Sequence, residues 1–387
     1  MKRQGVAGVI WESLRLMATK PIYWVGIFVL PLFTFLLITS LMEAGLPEKV
    51  PAGIVDRDGT ALSRQITQSL GGMQLVDLVE TPNSFTEARH RMQEGKIFGF
   101  FMIPEHYQAD LLGGKSPEIT FYTNMTYFVP GSLLFKTFKA TAVYAKAGIA
   151  VKIMDDVGVA DAPASLLQPM NISTRPLGNP WLNYGVYLSN SFVPAVLQLM
   201  IMLMTCYCLG EEIKRGTSRR LLQMTGGSIY KVILGKLLPQ TVIWIVIALF
   251  MQVWLFKFNH YPMHGSWWWM SLSQVLFVLA SQGFALFFFC IIPNLRLSLS
   301  VCALLGILSF SIAAFSFPYE SMYPAMGIFS WILPTRYNFL IYIDQALNGR
   351  HIFYSRVWYV AYIVFAVLPV FTVWHLKKDF AKPVYTP

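Results

Sequence analysis

Apolar residues gather in six long blocks, each close to the roughly 20 residues that a helix needs to cross a hydrocarbon layer. They cover residues 22–42, 184–209, 237–256, 267–292, 297–317 and 357–375, and none of them contains Asp, Glu, Lys or Arg. A seventh apolar stretch, 322–347, is interrupted by Pro324, Pro334, Arg336 and Asp344. That interruption predicts two short helices that enter the outer leaflet and turn back, which requires surrounding protein to shield the backbone. Lys2 and Arg3 give the chain a positive start, but the first block begins late and is too long for a cleaved signal sequence. It reads as a retained span.

The hydrophilic stretches add three elements. Residues 43–183 form a long insert with room for its own core. Strands are expected at 52–56, 75–79, 98–103 and 118–122, alternating with helices at 60–70, 84–94 and 130–157; Ser84 and Glu87 have capping-box spacing. Residues 160–180 read as a proline-bearing connector. Within 1–21, Val6, Ile10, Leu14 and Met17 recur at helical spacing, which predicts an interfacial helix. In 211–236, Gly216 should break the extension of the second span. Thr217 should cap a short helix carrying Leu221 and Leu222, and Gly226-Gly227-Ser228 should turn the chain into the third span. The expected fold is an α-helical polytopic membrane protein. It has six transmembrane helices, an outer-leaflet re-entrant helical hairpin at 318–347, and a small α/β extracytoplasmic domain inserted after the first span. The helical body covers 184–375, and 376–387 form a tail.

Composition narrows the class. Only 13% of residues are charged, about half the usual 25% of a soluble domain, and mean hydropathy is +0.51. This argues against a soluble enzyme of this length, and a disordered chain is excluded. The net charge of +10 is unevenly placed: 14 of the 30 Lys and Arg, but only 4 of the 20 Asp and Glu, fall in the termini and loops on one side of the spans. The whole positive excess therefore lies on that side, which marks it as cytoplasmic and puts both termini there. The same bias accounts for the basic character without nucleic acid. Trp267, Trp268, Trp269, Trp358 and Tyr359 fall at the opposite boundary, where amphipathic rings are favoured.

Candidate chemistry is sparse. Cys206, Cys208, Cys290 and Cys302 all lie in apolar runs and read as packing residues. His260 and His264 are separated by Pro262 and lack further ligands, so no metal site is expected. The run Ala109–Ser116 nearly spells a phosphate loop, but Ala109 stands where glycine is needed and Pro117 follows. It reads as a turn. No catalytic constellation is visible, and the uncharged spans argue against a proton-coupled carrier. Neutral polar residues remain in the spans, including Asn190, Gln198, Gln240, Gln274 and Gln282. Their ordinary role is interhelical packing; contact with a substrate is the alternative. A chain that spans a membrane repeatedly with no energy source of its own needs a cytoplasmic partner to move cargo uphill. The competing class is a non-transporting scaffold or receptor whose outer domain binds an envelope partner.

Segment 211–236 resembles the cytoplasmic loop of ABC-2-type transporter permeases in Glu212, Gly216-Thr217, Leu221-Leu222 and Gly235-Lys236. Phe317-Pro318-Tyr319-Glu320-Ser321-Met322-Tyr323-Pro324, followed by Trp331-Ile332-Leu333-Pro334-Thr335-Arg336-Tyr337, resembles that family's re-entrant helices. Gly226-Gly227 departs from the family, where a proline commonly follows the threonine. The resemblance implies a permease subunit of an ATP-binding cassette exporter in the bacterial inner membrane, with ATP and Mg held by a separate ABC ATPase subunit. It implies a second permease copy, as homodimer or paralogue heterodimer, among membrane lipids. It assigns Glu211, Glu212, Arg215, Gly216, Thr217, Leu221 and Leu222 to the ATPase-coupling interface, and Pro318, Glu320, Met322, Pro324, Pro334 and Arg336 to an outer gate. The neutral, aromatic spans suit an amphipathic cargo such as a drug, lipid or lipid-linked molecule, and the size of the insert suggests an envelope adaptor protein.

Overall fold

The computed structural model describes residues 5–43, 45, 49–113, 117–127, 129–141, 179, 183–313, 315, 317 and 319–384. Two compact units result: Met1–Gly45 with Pro176–Pro387, and Leu46–Arg175.

The first unit is helical. An amphipathic helix, Val6–Thr19, precedes six helices long and apolar enough to cross a membrane. These are span 1 Pro21–Leu41, span 2 Gly185–Lys214, span 3 Ile229–Phe258, span 4 Trp267–Ile291, span 5 Leu295–Ile312 and span 6 Ile352–Ala381. The break before span 1 is local chemistry. Lys20 is extended (φ −100°, ψ 124°) and Pro21 opens the next helix. Proline forces the residue ahead of it out of the helical region, yet suits a first turn whose N–H needs no partner. Spans 2, 3 and 6 run beyond the apolar blocks, because backbone hydrogen bonding continues after the hydrocarbon-compatible side chains stop. Spans 2 and 5 pack together most extensively, followed by spans 4 and 6 and spans 2 and 4. In spans 2, 3 and 4, 61%, 56% and 67% of the apolar window is buried, against 28% in spans 1, 5 and 6. The latter three keep wide apolar faces open to lipid or to another subunit.

The interrupted stretch forms helices Pro324–Ser330 and Pro334–Ile341, each opened by its proline, and the second continues as a π-helical turn, Tyr342–Leu347. Buried Asp344 in that turn accepts from Arg350 Nη1 and from Ser355 Oγ, both at 3.1 Å. The insert leaves and rejoins the helical unit side by side: Tyr184 N donates to Gly45 O at 2.7 Å.

The second unit is a four-stranded sheet of β1 (Val50–Asp56), β2 (Val76–Glu80), β3 (Gly99–Ile103) and β4 (Thr120–Thr123), in the order β2-β1-β3-β4. β1 is parallel to β2 and β3, and β4 is antiparallel to β3. Consecutive residues Phe100 and Phe101 point to opposite faces. Phe101 joins Ile66, Leu70 and Phe138; Phe100 joins Val55, Ala88 and Ile97. Burial on both faces explains why β1 and β3 are continuous apolar runs. Thr60 Oγ1 accepts from Ser63 N at 3.3 Å and Ser84 Oγ from Glu87 N at 3.2 Å, fixing the starts of helices Ala61–Gly71 and Phe85–Gln93. A fourth helix runs over 129–141; the rest of the expected 130–157 helix and most of the 160–180 connector lie outside the described residues. One helix was not foreseen, Tyr107–Leu112. It takes up the start of the phosphate-loop look-alike and caps at Gly113, so those backbone N–H groups bond within a helix; residues 114–116 lie outside the described residues.

Phe101 is fully buried. Phe101→Ala should cost this unit about 3–5 kcal/mol. Limited proteolysis of the full chain in detergent should then show faster cleavage within 46–175 and unchanged protection of the spans.

Candidate functional site

The best-connected polar cluster of the helical unit lies where span 2 hands over to span 3. The helix of span 2 continues through Glu211 and Glu212, 8% and 4% exposed, before ending at Lys214. Gly216, at φ +70°, then turns the chain out of the helix, a left-handed conformation that costs other residues about 1–2 kcal/mol. A short helix, Ser218–Met224, follows. Gly226 and Gly227, both at positive φ, lead into span 3 at Ile229.

Span 3 begins earlier than the apolar pattern indicated, which sets Lys236 inside the helix at 1% exposure rather than in the loop. Its Nζ lies 2.7 Å from Glu212 Oε1. The other carboxylate oxygen accepts from the Thr217 hydroxyl. This corrects the expected role of Thr217. Its backbone is helical, and its side chain makes no capping bond to the short helix. Following directly on left-handed Gly216, it turns its hydroxyl to the buried carboxylate, where a charge-assisted bond is stronger than a neutral one.

Neighbouring pairs extend the cluster to the amphipathic helix. Glu211 Oε1 receives Arg215 Nε at 2.5 Å and lies 3.5 Å from Lys20 Nζ. Arg220 pairs with Glu12, and Gly5 N donates to Met224 O at 2.8 Å. Val9 is fully buried against Gly235, where a Cβ would stand 2.8 Å from Val9 Cβ. On the far side, Ser218 Oγ donates to Phe380 O at the end of span 6, at 3.1 Å. Four segments distant in sequence are thereby tied into one platform.

Leu221 and Leu222 point inward, 0% and 8% exposed, among Val9, Ile213, Val232, Leu376 and Phe380. They hold the short helix to its own bundle. The surface the hairpin offers outward is made by Arg215, Gly216, Arg219, Arg220 and Gln223, all exposed. Of the residues singled out from sequence, the structure thus places Glu211 with Arg215 in one pair and Glu212 with Thr217 in the adjoining one. Lys236 was marked only through the Gly235-Lys236 resemblance, without a role in the interface, and Lys20 and Glu12 were not singled out; the three pair with Glu212, Glu211 and Arg220 in turn.

The proposed outer gate is less uniform. Arg336 is 4% exposed, with its guanidinium carbon 3.9 Å from the Trp331 ring centre and 4.9 Å from that of Tyr319. Cation–π contact of this kind offsets part of the cost of burying the charge. Pro324 and Pro334 open helices, Met322 follows a 3-10 turn over Tyr319–Ser321 that contains Glu320, and Pro318 lies outside the described residues.

The neutral polar residues divide by their bonding. Gln198 is satisfied at both ends, donating to Ser309 Oγ at 3.1 Å and accepting from Thr335 at 2.7 Å. Asn190 donates to Val186 O at 3.2 Å, and Gln240 to Met204 O at 3.2 Å. Asn190 and Gln274 line a cavity of about 20 Å³, which is room for one water and not for cargo. These positions read as packing. Gln282 and Gln240 are each half-satisfied: Gln282 Oε1 lies 2.7 Å from the Thr241 hydroxyl while its Nε2 is buried with no partner, and Gln240 Oε1 is likewise buried with none. The four cysteines are free and buried, and no metal-ligating group of three is found among the described residues.

The chain belongs to the ABC-2 family transporter proteins, whose pattern it matches over residues 21–374. It is similar to the linearmycin resistance permease protein of Bacillus subtilis (strain 168), at 30% identity over 109 residues, 28% of each chain. The match therefore spans just over a quarter of that relative's length. Members of this family are membrane subunits of transporters and are not catalytic by themselves.

Removing one member of a buried ion pair strands the other charge, at a cost of about 3–5 kcal/mol, whereas removing both is far milder. Glu212→Gln and Lys236→Met should each lower the thermal midpoint of the purified protein sharply. The double variant should recover much of the loss, and a double-mutant cycle would measure the coupling.

Proposed function

We propose that this chain is the permease subunit of an exporter powered by a separate ABC ATPase, and that the platform around Glu212 and Lys236 receives that ATPase. The observation that carries this reading is the interlocking of the amphipathic helix, the short helix and the ends of spans 2, 3 and 6. A push on the exposed face of Ser218–Met224 would be carried into the spans through the Glu212–Lys236 pair, and into the amphipathic helix through Glu12–Arg220. The charge bias supports placing this platform, and both termini, in the cytoplasm of a bacterial inner membrane. The sheet-bearing unit then lies outside, and helices Pro324–Ser330 and Pro334–Ile341 dip into the outer leaflet.

On this reading ATP and Mg bind the partner, and this chain supplies a path and a lever. A second permease copy would cover part of the open faces of spans 1 and 5. The absence of Asp, Glu, Lys and Arg from the apolar blocks favours an amphipathic cargo: a drug, lipid or lipid-linked molecule would not need a charged tunnel. Resistance is the role named for the Bacillus subtilis relative, which agrees with efflux. The scaffold alternative is not favoured, because the family is one of transporters.

Two measurements test this. A single cysteine at Arg219 should react with an impermeant maleimide only in inside-out vesicles, and one at Tyr127 only in right-side-out vesicles; labelling of both from one side rules the topology out. Arg219→Glu with Gln223→Arg should abolish co-purification of the ATPase while leaving permease stability within about 0.5 kcal/mol, as expected for exposed positions. Retained association would place the docking face elsewhere.

A further inference from the structure

Spans 2 and 5 meet along one antiparallel seam, in which contacts that advance along one helix step back along the other. Gln198 Nε2 donates to Ser309 Oγ at 3.1 Å, Leu199 lies against Gly306, and Leu295 lies against Gly210. Between these rungs stand Cys206 of span 2 and Cys302 of span 5, with their Sγ atoms 3.3 Å apart. Both side chains are fully buried. Gly210 follows Cys206, and Gly306 follows Cys302, at the i+4 spacing that keeps two residues on one helix face. At either glycine a Cβ would run into the facing leucine. Small residues at this spacing let two helix backbones approach closely, and that approach brings the sulfurs into contact.

The sulfurs of a disulfide stand about 2.05 Å apart, so the gap left to close is about 1.2 Å, within the swing of one Sγ about its χ1 bond. Cys206 Sγ also lies 3.7 Å from Ala285 O in span 4, a weak contact that a disulfide would give up. The other two cysteines are placed differently. Cys208 Sγ donates to Lys236 O of span 3 at 3.9 Å, and Cys290 lies in span 4. Cys206 and Cys302 are the one cysteine pair in contact among the described residues.

We infer that Cys206 and Cys302 are an oxidisable dithiol, which hydrogen peroxide closes to a disulfide that fastens span 5 to span 2. One sulfur, as thiolate, attacks a peroxide oxygen. The O–O bond breaks, a sulfenic acid forms, and the departing hydroxide takes the released thiol proton and leaves as water. The second sulfur then attacks the sulfenic sulfur. The S–O bond breaks, and a second water leaves with the other thiol proton. The two sulfurs together lose two electrons, and the peroxide gains them. Hydrogen peroxide is uncharged and small, so it enters a membrane as water does. The new bond would stand about 9 Å along span 2 from Glu212, and would tie span 5 to the platform at that end. Neither the ATPase, the cargo nor the orientation enters this chemistry. Failure of the export reading therefore leaves it standing, and the reverse also holds.

The test uses the full-length permease in phosphatidylcholine nanodiscs, without ATPase or ATP. The folded protein is held overnight in hydrogen peroxide, quenched with catalase, and then denatured in a mass-tagged maleimide that counts free thiols. The count should fall from four to two, and a reductant should restore it. Peptide mapping should find Cys206 joined to Cys302, with a mass loss of two hydrogens. Cys302→Ala should start at three thiols and stay at three, whereas Cys208→Ala should fall from three to one. A count that stays at four in the unmutated protein overturns the inference. So does a loss that reductant fails to restore, or a disulfide that includes Cys208 or Cys290. Should Cys302→Ala fail to fold, the mapped linkage in the unmutated protein and the count in Cys208→Ala still decide.

Discussion

A lysine and a glutamate held out of water 2.7 Å apart, with a threonine hydroxyl on the second carboxylate oxygen, set the terms for one end of the bundle of spans. Dehydrating each charge costs several kcal/mol even after relaxation, and mutual attraction offsets this only when geometry is good and the remaining oxygen is bonded. The pair tolerates little sliding, so spans 2 and 3 are pinned at one register where they leave the apolar region. Gly216 follows from that requirement. Only a left-handed residue right after the helix of span 2 lets Thr217 fold back on Glu212. A buried pair of this kind adds little net stability. Its contribution is to make one arrangement of the two helix ends cheaper than its neighbours.

The platform built on this pair is stiff in one direction and jointed in another. The amphipathic helix is fastened at both ends, by Gly5 to Met224 and by Lys20 to Glu211, and Val9 sits in the gap left by Gly235. Its link to span 1 is the single extended residue Lys20 followed by Pro21. Movement of the short helix would therefore carry the amphipathic helix with it, while span 1 could pivot about Lys20–Pro21. At the other ends of spans 2 and 3, π-helical turns at Gly185–Ser189 and Trp254–Phe258 loosen the regular ladder. Wider turns of this type often accompany functional adjustments in helices. The ends joined by ion pairs are thus regular and cross-linked, and the opposite ends are irregular.

Much of this was legible from periodicity. Uninterrupted apolar blocks fix the spans because nothing else makes twenty such residues soluble, and Pro324 and Pro334 announced two short helices in the broken stretch. The alternation of strands and helices in the insert was readable for the same reason: β1 and β3 are apolar on both faces, and Thr60 and Ser84 each cap a helix. Tertiary contacts were the part that escaped. Nothing local distinguishes Lys236 from a loop lysine, since its burial depends on Glu212 arriving from another helix. Leu221 and Leu222 stand out in the sequence, but periodicity could not say whether they face a partner or their own bundle. Helix Tyr107–Leu112 was hidden by a glycine-rich run directly after it.

Polar groups at depth show how bonding separates residues that sequence treats alike. Gln198 and Gln282 both lie in apolar helices, and hydropathy offers no ground for preferring either. Gln198 spends both ends of its amide on Ser309 and Thr335, joining spans 2 and 5 to helix Pro334–Ile341. A ligand could reach it only by breaking bonds that hold the bundle together. Gln282 meets Thr241 at one end alone, and its other end is buried without a partner. The same side chain is thus fully bonded at one position and half-bonded at the other, and the difference lies in which partners the neighbouring helices bring within reach.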